Sequence, residues 1–354
     1  MNQHLNYLMK KVYIISFFIV YQFILPIGTI QGQSNRAFRI GFYNTENFFD
    51  VFPDSTREYN AFTPEGEQHW DYDRFQKKRN NIYKTIIALG EGKSPDIMGL
   101  CEVENEVVLR ELIFKTPLKS SEYQYVMYPT PDRRGINVGI IYRIENLRLL
   151  SSKAILVKDY SEKEFFTRNI LYASFIVSNI DTLHLFINHW PSRYGGTLAT
   201  TEKRMLAAKT LKINTDSIFK RFPHAKIVIM GDFNDCPEDE SLIYGLQITN
   251  QNTDIQSNDL IDLCFNNDKL GFVGTLKYEH QWQIFDQIIV SGNLIKATQG
   301  LAYKNESARI FHPPFLFIED ERYLGLKLFR TYTGPTYEGG FSDHLPVYFD
   351  LEWR

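Results

Sequence analysis

The chain has 354 residues, 44% of them apolar or aromatic, so it can bury a sizeable core and is not a disordered chain. Its formal net charge is −3; without residues 1–32, whose only charges are Lys10 and Lys11, it is −5. That balance excludes long-range attraction to polyanions or anionic membranes, although a local basic groove can coexist with it.

Residues 1–34 read as an export signal. Lys10 and Lys11 precede the apolar run Val12–Ile27, which is shorter than the roughly 20 residues that span a bilayer. Gly32 and Ser34 supply small residues for cleavage. The expectation is a periplasmic or secreted protein, with an uncleaved membrane anchor as the alternative. Residues 35–354 contain no repeat and no Pro/Gly/Ser-rich linker, and read as one domain. No stable membrane association after signal removal and no obligate protein partner is expected. The cysteines, Cys101, Cys236 and Cys264, are odd in number. They fit neither a disulfide framework nor a zinc site with paired ligand spacing.

The apolar run Phe38–Tyr43 reads as a strand that ends at Asn44. Arg74–Leu89 reads as a helix, with Ile82, Ile86 and Leu89 on one face and Gly90 placed to end it. The strand Asp96–Cys101 delivers Glu102. The strands Val138–Tyr142 and Leu171–Val177 follow, and Arg168 lies just ahead of the second. Leu183–Asn188 runs into His189. A second helix is expected over Thr201–Phe222, and Lys226–Met230 runs into Gly231, Asp232, Phe233 and Asn234. Asp286 falls inside the apolar run Ile284–Val290. Residues 305–340 are aromatic and broken by prolines and glycines, which predicts a packed long loop or a short hairpin. Ser342, Asp343 and His344 precede a last strand, Val347–Leu351. The irregular alternation of strands and helices predicts mixed sheets.

Four apolar strands thus deliver a compact polar group at their C-terminal ends: Asn44, Glu102, His189, and Asp232 with Asn234. A single case is an ordinary strand end. Four in one chain, of types that bind hard cations and phosphate, point to a site. Asp286 inside an apolar strand needs a partner to offset its desolvation, and His344 needs an acid to fix its tautomer, so the two make a natural pair. These types suit attack of water on a phosphate ester. Mg²⁺ takes one or two protein carboxylates and keeps several waters, a role open to Glu102 and Asn44. Asp232 supplies a base; Asn234, His189 and His344 supply donors. The sequence contains no G-x-x-x-x-G-K-[ST], H-E-x-x-H or G-x-S-x-G motif. Gly195-Gly196 after Arg193 is too little for a phosphate cradle and reads as a flexible turn.

In this order the blocks Phe42-Tyr43-Asn44-Thr45-Glu46-Asn47, Gly99-Leu100-Cys101-Glu102-Val103, Asn188-His189-Trp190, Gly231-Asp232-Phe233-Asn234 and Ser342-Asp343-His344-Leu345-Pro346 resemble the endonuclease/exonuclease/phosphatase superfamily. The resemblance runs from Phe38 to Leu351. It implies a four-layer α/β sandwich, two mixed β-sheets packed face to face with helices outside. By resemblance, Asn44, Glu102 and Asp343 would hold a divalent metal, Mg²⁺ or Mn²⁺ with Ca²⁺ as a further option. Asp232 would deprotonate water, and Asn234 would bind phosphate or orient that base. Asp286 would polarise His344 against the scissile phosphate. His189 stands where deoxyribonucleases and sphingomyelinases carry a histidine. Arg168 resembles a phosphate-binding arginine of the nucleases, but the proline that often follows it there is absent here.

The expected function is an exported, metal-dependent phosphodiesterase that acts by water attack, with a nuclease on DNA or RNA as the leading reading. A lipid phosphodiesterase or a phosphomonoesterase is the alternative. A non-catalytic binding module on the same fold is a remote one, since none of the metal or base residues is lost.

Overall fold

Strand periodicity sorts the apolar residues of this chain onto two faces, and that sorting builds its layers. The computed structural model describes residues 37–54, 59–159, 167–249, 254–265 and 267–354. The export-signal reading of residues 1–34 lies outside them.

In chain order the elements are β1 (Phe38–Phe48), helix α1 (Tyr72–Leu89), β2 (Ile97–Val103), helix α2 (Glu106–Phe114), β3 (Tyr123–Met127), β4 (Asn137–Arg143), β5 (Leu147–Ile155), β6 (Ile170–Val177), β7 (Asp181–His189), helix α3 (Thr197–Arg221), β8 (Lys226–Asp232), β9 (Ile248–Thr249) and β10 (Leu260–Asp262). They continue with the hairpin β11 (Leu276–Tyr278) and β12 (Gln281–Gln283), then β13 (Asp286–Ser291), helix α4 (Gly292–Ile295), β14 (Leu301–Tyr303) and β15 (Arg309–Ile310). Two more hairpins, β16 (Phe317–Glu319) with β17 (Leu326–Leu328) and β18 (Tyr332–Thr333) with β19 (Thr336–Tyr337), precede β20 (Val347–Trp353).

The first sheet has the order β14-β20-β1-β2-β4-β3, with β15 also on β20; the second has the order β5-β6-β7-β8-β13-β10-β9. Both are mixed. Each holds one parallel pair joined through a helix: β1 and β2 through α1, and β7 and β8 through α3. Successive side chains alternate between cores. On β2, Ile97 and Cys101 enter the core between the sheets, while Met98 and Leu100 pack with Ile82, Ile86 and Leu89 of α1. On β8, Val228 and Met230 face the other sheet, while Ile227 and Ile229 pack with Leu211 and Phe219 of α3. Each fully buried aliphatic side chain contributes about 1.5–3 kcal/mol of transfer free energy. Three apolar layers separate four structural ones, which is the expected sandwich.

Two glycines record how close the packing is. A Cβ on Gly99 would lie 2.5 Å from Ile187 Cδ1, across the two sheets. Gly90 ends α1 as expected, though not in the left-handed conformation usual for a helix-ending glycine: φ is −81°, and a Cβ there would overlap the Lys93 carbonyl. Segment 305–340 contains two hairpins and the short strand β15 rather than a loop or a single hairpin. Among the described residues no helix is long and apolar enough to cross a membrane.

Candidate active site

Topology alone brings the expected groups to one end of the sandwich. In a parallel pair the C-terminal ends coincide, so Asn44 is in register with Cys101 and His189 with Asp232. β13 runs antiparallel to β8, so its first residue, Asp286, pairs with Asp232. β20 runs antiparallel to β1, with Val347 opposite Phe42, so the residues preceding it, Asp343 and His344, lie beside the end of β1. Asp286 therefore opens its strand instead of lying inside it, yet it is completely buried.

The site-bearing strands are bent where they matter. The β1–β2 register shifts between Asn44 and Phe48, with Glu46 and Asn47 at φ 49° and 55°. The β2–β4 register shifts between Cys101 and Val103, and Glu102 has φ 58°. Asn234 has φ 52°. Non-glycine residues at positive φ are strained, and such bulges re-aim side chains at functional sites.

Asp232 is the hub. Its Oδ2 accepts a hydrogen bond from Asn44 Nδ2 at 3.0 Å, and its Oδ1 accepts one from the Asn234 amide at 3.0 Å. The same Oδ2 lies 3.6 Å from His189 Nε2 and 3.8 Å from His344 Nε2. His344 Nδ1 is 2.7 Å from Asp286 Oδ2. Asn234 Nδ2 donates to the Trp190 carbonyl at 3.1 Å, which fixes the amide plane. Glu102 Oε1 lies 3.9 Å from His189 Nε2.

Burial and charge give the two histidines opposite states. Burial, reinforced by Arg168, Arg134 and His344, holds His189 well below the usual histidine range, so it is neutral. Burial also opposes protonation of His344, but Asp286 and Asp232 outweigh it and push His344 well above that range. Burial raises the Asp232 carboxyl to about 7, against the opposing pull of His344. Arg330 overcomes burial at Asp343 and holds that carboxyl low.

The donor chemistry fits a hard divalent cation. Glu102 Oε2 accepts from the Asn47 amide at 2.9 Å and from Arg134 at 3.2 Å, while Oε1 has no hydrogen-bond partner among the described residues. The side chain is 12% exposed, so water can share the site. A tighter cluster, Asp232, Asp286 and His344, places one ligand-type atom of each within 4.8 Å of the others. There the Asp286–His344 hydrogen bond occupies imidazole Nδ1, and a protonated Nε2 facing Asp232 explains the geometry without a cation.

A second ring of charges had no sequence signature. Glu46 is buried and accepts from Arg330 Nε at 2.9 Å and from the Thr331 amide at 2.7 Å. Arg330 also donates to Asp343 Oδ2 at 2.7 Å. Lys78, buried in α1, lies 3.7 Å from Glu46 and donates to the Phe341 carbonyl at 2.6 Å. Arg168 is placed beside the site, but its donors go to the carbonyls of His189 and Trp190 and to Asp132. Arg193 is likewise committed to the Asn234 carbonyl, Asp235 and Asp239.

A model of the Endonuclease/Exonuclease/phosphatase family matches residues 39–353. No curated protein gives a significant sequence match. Among solved structures, a mannosyl-6-phosphatase of Bacteroides thetaiotaomicron is similar at 14% identity and TM-score 0.54, over 88% of this chain and 98% of its own. ANGEL2, a 2',3'-cyclic phosphatase, is similar at 15% identity and TM-score 0.54, over 91% and 99%. Humanized D. rerio TDP2 is similar at 17% identity and TM-score 0.52, over 89% and 98%. At these identities the likeness concerns the fold.

Proposed function

The chain belongs to the Endonuclease/Exonuclease/phosphatase family, whose members hydrolyse phosphate esters, and from that premise we propose that it is an exported, Mg²⁺- or Mn²⁺-dependent phosphodiesterase acting on DNA or RNA. The observation that carries the reading is the Asp232 carboxyl, raised to about 7 and set between a neutral His189 and a protonated His344. A base with that affinity for protons suits abstraction from water near neutrality. Export is supported by the basic-then-apolar pattern of residues 1–34.

Each residue then has a role. Asn44 and Glu102, with Asp343, would hold the cation, which when bound supplies charge neutralisation at the phosphate oxygens. Asp232 takes the proton of the attacking water, held in orientation by Asn44 Nδ2 and the Asn234 amide. His344, kept protonated by Asp286, donates through Nε2 to a phosphate oxygen or to the departing oxygen. His189, neutral, offers a hydrogen bond rather than a proton. Arg168 braces the end of β7 that carries His189.

A phosphomonoesterase is the second reading, favoured by the mannosyl-6-phosphatase among the fold's neighbours. The test is turnover of DNA, RNA, a sphingomyelin analogue and an inositol phosphate with Mg²⁺ or Mn²⁺ and with chelator. Cleavage of a nucleic acid that chelator abolishes supports the proposal. Full activity in chelator overturns the metal assignment, and turnover of the small phosphate ester alone moves the substrate to the second reading.

A further inference from the structure

A cleft of about 210 Å³ opens beside Asp343. Its walls come from the hairpin β11–β12 and from β16–β17 with the residues that follow it. Its cations are Lys277, Arg322, Lys327 and Arg330; Glu279, Asp320 and Asp343 are its acids. These charges are not equally available. Lys277 Nζ donates to Asp320 Oδ2 at 2.7 Å and to the Leu326 carbonyl at 3.0 Å, and Asp320 Oδ1 accepts the amides of Arg322 and Tyr323. That pair is spent on tying one hairpin to the other. Arg330 gives Nε to Glu46 and one terminal nitrogen, Nη2, to Asp343. Its other terminal nitrogen, Nη1, has no partner among the described residues, and its side chain is 41% exposed. Arg322 and Lys327 meet no carboxylate among the described residues; Arg322 lies over the Tyr323 ring at 5.0 Å. Three cationic groups with free donors therefore line one cleft, against one uncommitted acid, Glu279.

The cleft meets the active site at Arg330 and Asp343. Arg330 holds Asp343, and Asp343 precedes His344 in the chain. A planar guanidinium that grips a site carboxylate with one terminal nitrogen and leaves the other free is built to bridge to a second anion.

We propose that this cleft is an anion subsite, with Arg330 Nη1, Lys327 and Arg322 receiving a phosphate of the substrate other than the one hydrolysed. The enzyme then selects substrates with at least two phosphate groups: the neighbouring phosphate of a nucleic acid strand, or the second phosphate of a small bisphosphate. The inference rests on the reading of the adjoining site as a phosphate-ester hydrolase. Arg322 and Lys327 lie on a surface hairpin and take no part in the catalytic hydrogen bonds, so their removal leaves the chemistry intact.

The test compares wild type with the Arg322→Ala/Lys327→Ala double variant. The substrates are a thymidine dinucleotide with and without a terminal phosphate, a sugar bisphosphate against its monophosphate, and bis(p-nitrophenyl) phosphate. Charge-assisted contacts of this kind are each worth about tenfold. The expected result is a wild-type preference in kcat/KM for the second phosphate, carried by KM, which the double variant loses while bis(p-nitrophenyl) phosphate is cleaved within about twofold of wild type. The phosphorylated substrate that shows the preference, dinucleotide or sugar, identifies the source of the anion. Equal losses on all substrates, or turnover by the wild type with no preference for the second phosphate, overturn the subsite. Calorimetric binding of the dinucleotide pair to both proteins in chelator separates the two claims. A binding increment for the terminal phosphate that vanishes in the double variant, with no turnover of any substrate, would keep the subsite and reject the hydrolase reading; no increment rejects the subsite whatever the turnover.

Discussion

Asp286 Oδ2 and His344 Nδ1 are 2.7 Å apart at the buried end of the sandwich, though 58 residues separate them in the chain. The contact arises because β13 and β20 both start at this end, each antiparallel to a strand that finishes there. Asp286 is fully buried, away from any substrate, and its hydrogen bond goes to His344, so its effect passes through that imidazole. Asp286→Asn should lower kcat by about a hundredfold or more, the range of a lost acid–base partner. His344→Ala should do the same, and the double variant should be scarcely worse than the worse single. Kinetic losses that multiply in full would show the two groups acting separately.

Glu102 sits at a strained φ of 58° with one carboxylate oxygen tied to Asn47 and Arg134 and the other without a hydrogen-bond partner among the described residues. Glu102→Gln keeps the shape and removes the charge. The variant should remain folded, bind Mn²⁺ at least about tenfold more weakly by calorimetry, and recover part of its activity when the metal is raised. Unchanged Mn²⁺ affinity would remove Glu102 from the metal site.

How the sequence exposes this site follows from locality. Asn44, Glu102, His189 and Asp232 were legible because each is a polar residue that ends an apolar run, and a parallel β-helix-β unit must bring such ends together. The Glu46–Arg330 ion pair spans 284 residues and leaves no periodic trace. Arg330 sits in a segment whose aromatics suggest only packing. Strand β5 was missed because it is an edge strand with only its two end residues buried, and α2 because nine residues give too few turns for a pattern. The bulges at Glu46–Asn47 and Glu102 were invisible because no glycine marks them.

Asp262 offers a pH test that is independent of catalysis. It is fully buried on β10, its Oδ1 accepts the Cys264 amide at 2.7 Å, and Oδ2 has no hydrogen-bond partner among the described residues. Burial pushes its carboxyl up to about 7 from an ordinary 3.8. A carboxyl raised in the folded state favours folding when protonated, so its benefit is complete below about pH 4 and is lost as pH rises to about 7. Asp262→Asn retains the acceptor and never ionises. It should match wild type near pH 4 and exceed it above pH 7 by up to about 4 kcal/mol in urea unfolding. A stability difference that does not change between pH 4 and 8 would mean that Asp262 stays ionised in the fold.

The last prediction concerns how a polynucleotide is held. Arg168, expected beside the site, spends all three guanidinium nitrogens on the carbonyls of His189 and Trp190 and on Asp132, and Arg193 commits Nε and Nη2 to the Asn234 carbonyl, Asp235 and Asp239, which leaves it one terminal nitrogen at most. The cations with free donors that line the cleft beside the site are Arg322, Lys327 and Arg330, and Arg134 is already shared with Glu102. Each neutralised phosphate adds about −0.9 to the log–log salt slope on duplex DNA and about −0.7 on a single strand. Two or three contacts then give a slope of about −2 to −3 on a duplex, with weak binding set mainly by the reacting phosphate and its neighbour. The measurement uses the Asp232→Asn variant, which binds without turning over, on a short duplex, a single strand and a small phosphodiester across a salt series. Adding Arg322→Ala and Lys327→Ala should flatten the slope by about one per residue removed. A slope equal to six or more contacts would mean a basic groove lies elsewhere on the surface. A slope unaffected by the two substitutions would mean the strand takes a path that avoids the hairpin.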